Sequence, residues 1–148
     1  MNNNNMKVGM ASDHAGFELK AALKEYLSAK GYEVFDYGTD SGESVDYPDF
    51  AHPLADAVEK GNVSFGIAIC GTGNGICMTA NKHQGVRGAL CWIPEIAALA
   101  KQHNNANVLA MPARFISVEQ AKEILDAYMN ASFEGGRHQR RIDKIAVK

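Results

Sequence analysis

Two kinds of apolar run alternate along this chain. Short, nearly unbroken ones occupy 7–12, 33–37, 65–69, 86–92 and 107–111. A run such as Phe65-Gly66-Ile67-Ala68-Ile69 has no polar side, which predicts a strand buried on both faces. Between these runs the apolar residues recur every three or four positions. Over 17–30, Leu19, Leu23, Tyr26 and Leu27 form one stripe, with Lys20, Lys24 and Glu25 expected to face outward. Gly31 is the stop expected after such a helix. Further helices are predicted over 48–60, over 76–83, over 95–103 behind Pro94, and from Ser117 through 129. Proline at position 48 or 94 suits a first helical turn, and Ser117-Val118-Glu119-Gln120 has the form of a capping box. A last helix is expected over about 134–146, and 38–47 reads as a polar loop.

Strand and helix alternating five times predict an α/β fold, a parallel sheet covered on both faces. With 148 residues, no internal repeat and no linker, the chain reads as one domain over 6–148 behind a disordered tail at 1–5. In such folds ligands bind beyond the carboxyl ends of the strands. That rule gathers Asp13 and His14 after the first strand, Cys70 to Gly75 after the third, and Arg114 after the fifth onto one rim. A polar loop residue taken singly is most often just solvated. Three such groups on one edge point to a site.

Charge and composition narrow the partners. A net charge of −2 gives no general reason to expect nucleic acid. No apolar run approaches the roughly 18 residues of a membrane span. The start, Met1-Asn2-Asn3-Asn4-Asn5, has neither the basic end nor the apolar stretch of a signal peptide. Three cysteines without Cys-x-x-Cys spacing predict free thiols rather than a disulfide framework, and hence the reducing cytoplasm.

Candidate chemistry starts at Cys70-Gly71-Thr72-Gly73-Asn74-Gly75. Strand, glycine-rich turn and helix together present backbone N–H groups to an anion. The dinucleotide fingerprint would need glycine at position 76, which is Ile76, and no Gly-Lys-Ser/Thr of a P-loop follows. What remains is a general cradle, for an oxyanion or for a phosphate. Cys77 and Cys91 fall inside a helix and a strand, where a cysteine is ordinary core filling. Cys70 instead sits at the mouth of the cradle, where a helix N-terminus favours thiolate, fit to act as nucleophile or proton carrier. Thr72, two residues on, is placed either to position a substrate oxygen or simply to build the turn.

Five histidines (His14, His52, His83, His103, His138) show no His-x-x-x-His pair and no accompanying carboxylate cluster, so no metal is expected. His52 and His83 read as structural or solvated. His103-Asn104, ending a helix, counts only if the fold carries it to the rim. Arg137 and Arg141 are four apart and would share a helix face, either as a phosphate clamp or as a solvated basic face.

The motifs Asp13-His14-Ala15-Gly16-Phe17, Asp46-Tyr47-Pro48, Cys70 through Gly75, Ala80-Asn81-Lys82, Gln102-His103-Asn104, Asn107-Val108-Leu109 and Gly135-Gly136-Arg137-His138-Gln139 occur in order. In this register the chain resembles the B-type ribose-5-phosphate isomerases, whose wider family includes allose-6-phosphate and galactose-6-phosphate isomerases. The resemblance implies a Rossmann-like three-layer α/β/α sandwich with a five-stranded parallel sheet. It also implies a homodimer or tetramer, a site shared between subunits, and a C-terminal helix reaching a neighbour. Cys70 matches the base that moves a proton between C1 and C2 through an enediolate. Some members use a glutamate where this chain has Ile76. Gly71, Gly73, Asn74 and Gly75 match the enediolate cradle, Thr72 a hydrogen-bonding assistant, and His103 the acid that opens the sugar ring. Asn104, Asp13 and His14 match substrate contacts, and Arg114, Arg137 and Arg141 the phosphate grip. No cofactor is implied, and Arg140 matches no role. The expected activity is metal-independent interconversion of ribose 5-phosphate and ribulose 5-phosphate. A six-carbon aldose phosphate, or a binding module with an inert Cys70, are the rival readings.

Overall fold

The computed structural model describes residues 6–147, so the tail expected at 1–5 lies outside the described residues. The strands are β1 (Lys7–Ser12), β2 (Glu33–Asp36), β3 (Phe65–Cys70), β4 (Gly88–Leu90) and β5 (Val108–Pro112). The helices are α1 (Phe17–Ala29), α2 (Pro48–Glu59), α3 (Asn74–Ala80), α4 (Pro94–Asn104), α5 (Val118–Asn130) and α6 (Arg137–Ile142). All strands are parallel, in the order β2-β1-β3-β5-β4. β3 is central and buried at every residue, as its unbroken apolar run predicts. Alternate side chains feed two apolar layers. Ile67 and Ile69 pack with Leu19, Leu23, Leu27, Ile124 and Leu125 on one face. Ala68 and Cys70 pack with Leu54, Val58 and Ile76 on the other. The result is the expected three-layer sandwich.

Glycine within the strands has a packing reason. A Cβ at Gly66 would stand 2.9 Å from Leu54 Cδ1, so its absence lets α2 lie close on the sheet. The ends of two elements differ from expectation. β4 is an edge strand reduced to Gly88–Leu90, after which Trp92 and Ile93 turn outward into α4. α6 begins only at Arg137, because Gly135 and Gly136 hold φ values of +70° and +59° that no right-handed helix accepts.

Lys20 is the clearest reversal. Expected outside, it is 1% exposed, and its Nζ donates to Asp36 Oδ1 at 2.5 Å and to the Thr39 carbonyl at 2.6 Å. Lys20 is three residues from Leu23 and seven from Leu27, so it lies on the buried stripe. Asp36 at the end of β2 supplies the counter-charge. Asp36 Oδ1 also accepts from Gly38 N at 2.9 Å, and Thr39 N donates to the Ser12 carbonyl at 2.8 Å. One buried ammonium therefore pins the start of the 38–47 loop against the end of β1.

Lys20→Met should strip Asp36 of its buried counter-charge, leave the Thr39 carbonyl without its donor and cost about 3 kcal/mol of folding free energy. Lys24, 47% exposed and 3.7 Å from Asp36 Oδ2, is the control; Lys24→Met should cost less than about 1 kcal/mol. Urea unfolding of both variants measures the difference.

Candidate active site

Three loops meet beyond the carboxyl ends of β1, β3 and β5. Asp13 N donates to the Ile69 carbonyl at 3.2 Å, and Asp13 Oδ1 accepts from Gly16 N at 3.1 Å. A Cβ at Gly16 would stand 2.7 Å from the Ile69 carbonyl oxygen, so only glycine lets this turn rest on the end of β3. From the other side, Ala113 N donates to the Cys70 carbonyl at 2.9 Å and Arg114 N to the Gly71 carbonyl at 3.0 Å. The Arg114 guanidinium then folds over Gly71, its Nη1 2.9 Å from where a Cβ would be. Asp13, His14, Cys70 to Gly75 and Arg114 thus occupy one rim.

Gly73 makes the turn. Its φ is +78°, and a Cβ there would press on the Met111 backbone at 3.1 Å. Thr72 Oγ1 accepts from Asn74 N at 3.2 Å, so it helps build the turn and keeps its own hydroxyl hydrogen free to donate. His14 Nδ1 accepts from Val45 N at 3.2 Å, which leaves the ring proton on Nε2 and ties the 38–47 loop to the rim. That loop delivers Tyr47, whose phenol oxygen lies 2.6 Å from the position of a Cβ on Gly75. Sequence reading gave Tyr47 no role. It stood in the sequence only as part of the Asp46-Tyr47-Pro48 motif, and nothing local to that motif shows that its ring reaches Gly75.

Cys70 is 5% exposed and unpaired. Cys77 and Cys91 are buried as well; burial pushes both thiols up, Cys91 to about 12, and this keeps them protonated. Ile76 is fully buried, so its position belongs to the core rather than to the cradle.

His103 and Asn104 are not on this rim. α4 returns from β4 toward the start of β5, which places its last turn at the amino ends of the strands. There Arg87 Nε donates to the carbonyls of Asn104 and Asn105 at 3.2 and 3.1 Å, and Glu134 N to the Gln102 carbonyl at 2.9 Å. The rings of His103 and His138 stack with centroids 4.4 Å apart. Arg137 and Arg141 come from α6 beside them. Glu134 Oε1 lies within 4 Å of Nε2 of both rings, a single carboxylate that the spacing of the histidines in the sequence does not show. Burial, and then His103 and the two arginines, hold His138 below the usual imidazole range. His52 and His83 form a separate contact, Nδ1 to Nε2 at 2.8 Å, that joins α2 to the loop before β4.

The candidates therefore fall into two groups at opposite ends of the sheet. Five-residue β5 alone spans roughly 13 Å between them. One protomer cannot bring His103 to its own Cys70.

A family model described as ribose/galactose isomerase matches residues 8–145. Ribose-5-phosphate isomerase B of Escherichia coli (strain K12) is 48% identical over 141 residues, 95% of each chain. A crystal structure of a ribose 5-phosphate isomerase from Thermotoga maritima is 50% identical with a TM-score of 0.94, over 96% of this chain and 98% of that one. Ribose-5-phosphate isomerase B from Mycoplasma genitalium, crystallised with ribulose 5-phosphate bound, is 48% identical with a TM-score of 0.92, over 95% and 94% of the two chains.

Gly73→Ala should lose about 1–3 kcal/mol of stability through left-handed strain alone, plus the clash with Leu90 and the Met111 backbone. Gly71→Ala meets first the side chain of Arg114, which can shift, and should unfold close to the parent. Thermal unfolding of the pair, followed by circular dichroism, separates the two effects.

Proposed function

Because this chain belongs to the ribose/galactose isomerase family, we propose that it interconverts ribose 5-phosphate and ribulose 5-phosphate by proton transfer at Cys70. The observation that carries the reading is the meeting of Cys70, the Gly71–Gly75 turn and Arg114 on one rim. A relative of the same fold holds ribulose 5-phosphate, which supports the pentose.

Each residue has work that its geometry suits. His103 opens the sugar ring by passing a proton to the ring oxygen as the C1–O bond breaks, while water takes the proton of the anomeric hydroxyl and C1 becomes the aldehyde. The Cys70 thiolate then takes the C2 proton, and the electron pair forms the C1=C2 bond while the aldehyde oxygen becomes an oxyanion. Amides of Gly71, Gly73 and Gly75 stabilise that charge; the Asn74 amide is already engaged by Thr72, so Asn74 contributes its side chain. The Thr72 hydroxyl donates to a substrate oxygen. Cys70 returns its proton to C1 as the proton on O2 passes to O1, leaving the ketone at C2. No electrons leave the sugar, so no cofactor is required. Asp13, with one oxygen already on Gly16 N, offers the other to a sugar hydroxyl, and His14 donates from Nε2. Asn104 contacts the sugar, while Arg114, Arg137 and Arg141 hold the phosphate. Binding energy gathered at the phosphate keeps C1 and C2 at the cradle.

The two-ended arrangement calls for a homodimer in which the His103, Asn104, Arg137 and Arg141 group of one protomer covers the Cys70 rim of the other. A two-fold axis then makes two equal sites. Exposed Met78, Trp92, Ile93, Leu99 and Phe115 supply apolar surface for such an interface. The working unit is the single domain over 6–148, with α6 reaching the neighbour. Among the described residues no helix is long and apolar enough to cross a membrane. The free thiols suit the cytoplasm.

Purified protein should convert ribose 5-phosphate with a chelator present, and Cys70→Ala should lower kcat by about 100- to 10,000-fold. Turnover confined to six-carbon aldose phosphates would overturn the pentose assignment. Full activity in Cys70→Ala would overturn the base. Sharing of the site is tested by mixing two inactive variants, Cys70→Ala and His103→Asn, under conditions where subunits exchange. Random pairing gives about one quarter of sites with both halves intact, so about a quarter of parental activity should return; none returns if each protomer works alone.

A further inference from the structure

Glu134, His103 and His138 are spaced in a way that hydrogen bonding does not explain. Glu134 Oε1 stands 3.6 Å from His138 Nε2 and 3.8 Å from His103 Nε2, and the three donor atoms all lie within 4.8 Å of one another. These separations exceed a hydrogen bond. They approach the roughly 3.4 Å between neighbouring ligand atoms of a tetrahedral ion bound at about 2.1 Å. His138 supplies an independent sign. Its side chain is 9% exposed, and its Nε2 has no hydrogen-bond partner among the described residues. A buried imidazole nitrogen aimed at an acid it does not reach lacks a partner between them.

We propose that His103, Glu134 and His138 bind a zinc-class divalent cation, and that its occupancy switches the isomerase off by withdrawing His103. Two imidazoles and one carboxylate select zinc, cobalt or nickel over magnesium and calcium, which prefer all-oxygen shells. His103 and Glu134 are partly exposed in the single protomer, and in the proposed dimer they would border the space that substrate must enter, which gives an ion an entry path and a place for a water ligand. The nearly parallel stack positions the ring without locking it. Arg137 and Arg141 flank the site and oppose a cation, so the affinity is below that of structural zinc centres. The ion is an inhibitor and not a cofactor, because a His103 ring held on the metal is withdrawn from the ring-opening proton transfer. This second half rests on the His103 role assigned above.

The test titrates the chelator-stripped oligomer with cobalt(II) and with zinc. Expected are one equivalent per protomer, visible d–d absorption without a near-ultraviolet thiolate band, and turnover of ribose 5-phosphate that falls at least tenfold with zinc and returns with chelator. Glu134→Gln and His138→Gln should each keep metal-free activity while losing both the cobalt spectrum and at least tenfold of the zinc sensitivity. Glu134 is on the surface, so its variant reports even if His138→Gln fails to fold. A thiolate band, or zinc sensitivity unchanged in Glu134→Gln, overturns the site in favour of capture by Cys70; no binding overturns it outright. Cobalt bound with undiminished turnover overturns the switch and the ring-opening role together. A metal-free parent inactive on ribose 5-phosphate overturns the functional reading instead, and the cobalt titration still decides the site.

Discussion

Every strand of the sheet points the same way, and the rest of the molecule follows from that polarity. Each loop leaving a strand reaches one rim, and each helix that returns does so to the opposite edge. Asp13, Cys70 and Arg114 end up as neighbours although 57 and 44 residues separate them in turn, from 13 to 70 and from 70 to 114. By the same rule His103 and Asn104, closing α4, are carried away from them. No loop rearrangement within one protomer bridges the length of β5. The proposed homodimer answers this separation, because a two-fold axis would make two sites from one interface.

Close approaches of backbone to backbone sharpen the rim. Gly16 lets the turn after β1 lie on the Ile69 carbonyl, and Gly73 lets the cradle fold against Met111. In each case a methyl group would push the turn off the strand end it rests on. The buried Lys20 ammonium plays the matching part for the 38–47 loop. It satisfies Asp36 and the Thr39 carbonyl at once, while His14 holds the far end through Val45. That loop is the one that sets Tyr47 on Gly75. Long polar loops usually move; this one is clasped at both ends, which suits a wall of the cradle.

The far end of the sheet follows a different logic. Two histidines, an acid and two arginines crowd the junction of α4 and α6, with one imidazole nitrogen buried and unpartnered. Such a concentration of titratable groups is costly to keep without function. It stands at the amino ends of the strands, opposite the cradle.

Much of this was legible along the chain. Unbroken apolar runs marked the strands, the 3.6-residue stripe marked the helices, and the strand–helix alternation with the carboxyl-end rule placed Asp13, Cys70 and Arg114 together, because those signals are local and periodic. Even the burial of Lys20 was present in its spacing from Leu23 and Leu27, hidden by the habit of placing charge outside. Strand order, the clasp on the 38–47 loop, the seat of Tyr47 and the triad of His103, Glu134 and His138 were decided only by the tertiary structure. Each depends on which elements lie side by side, and a contact between residues 31 apart in the chain, like His103 and Glu134, leaves no periodic trace in either segment.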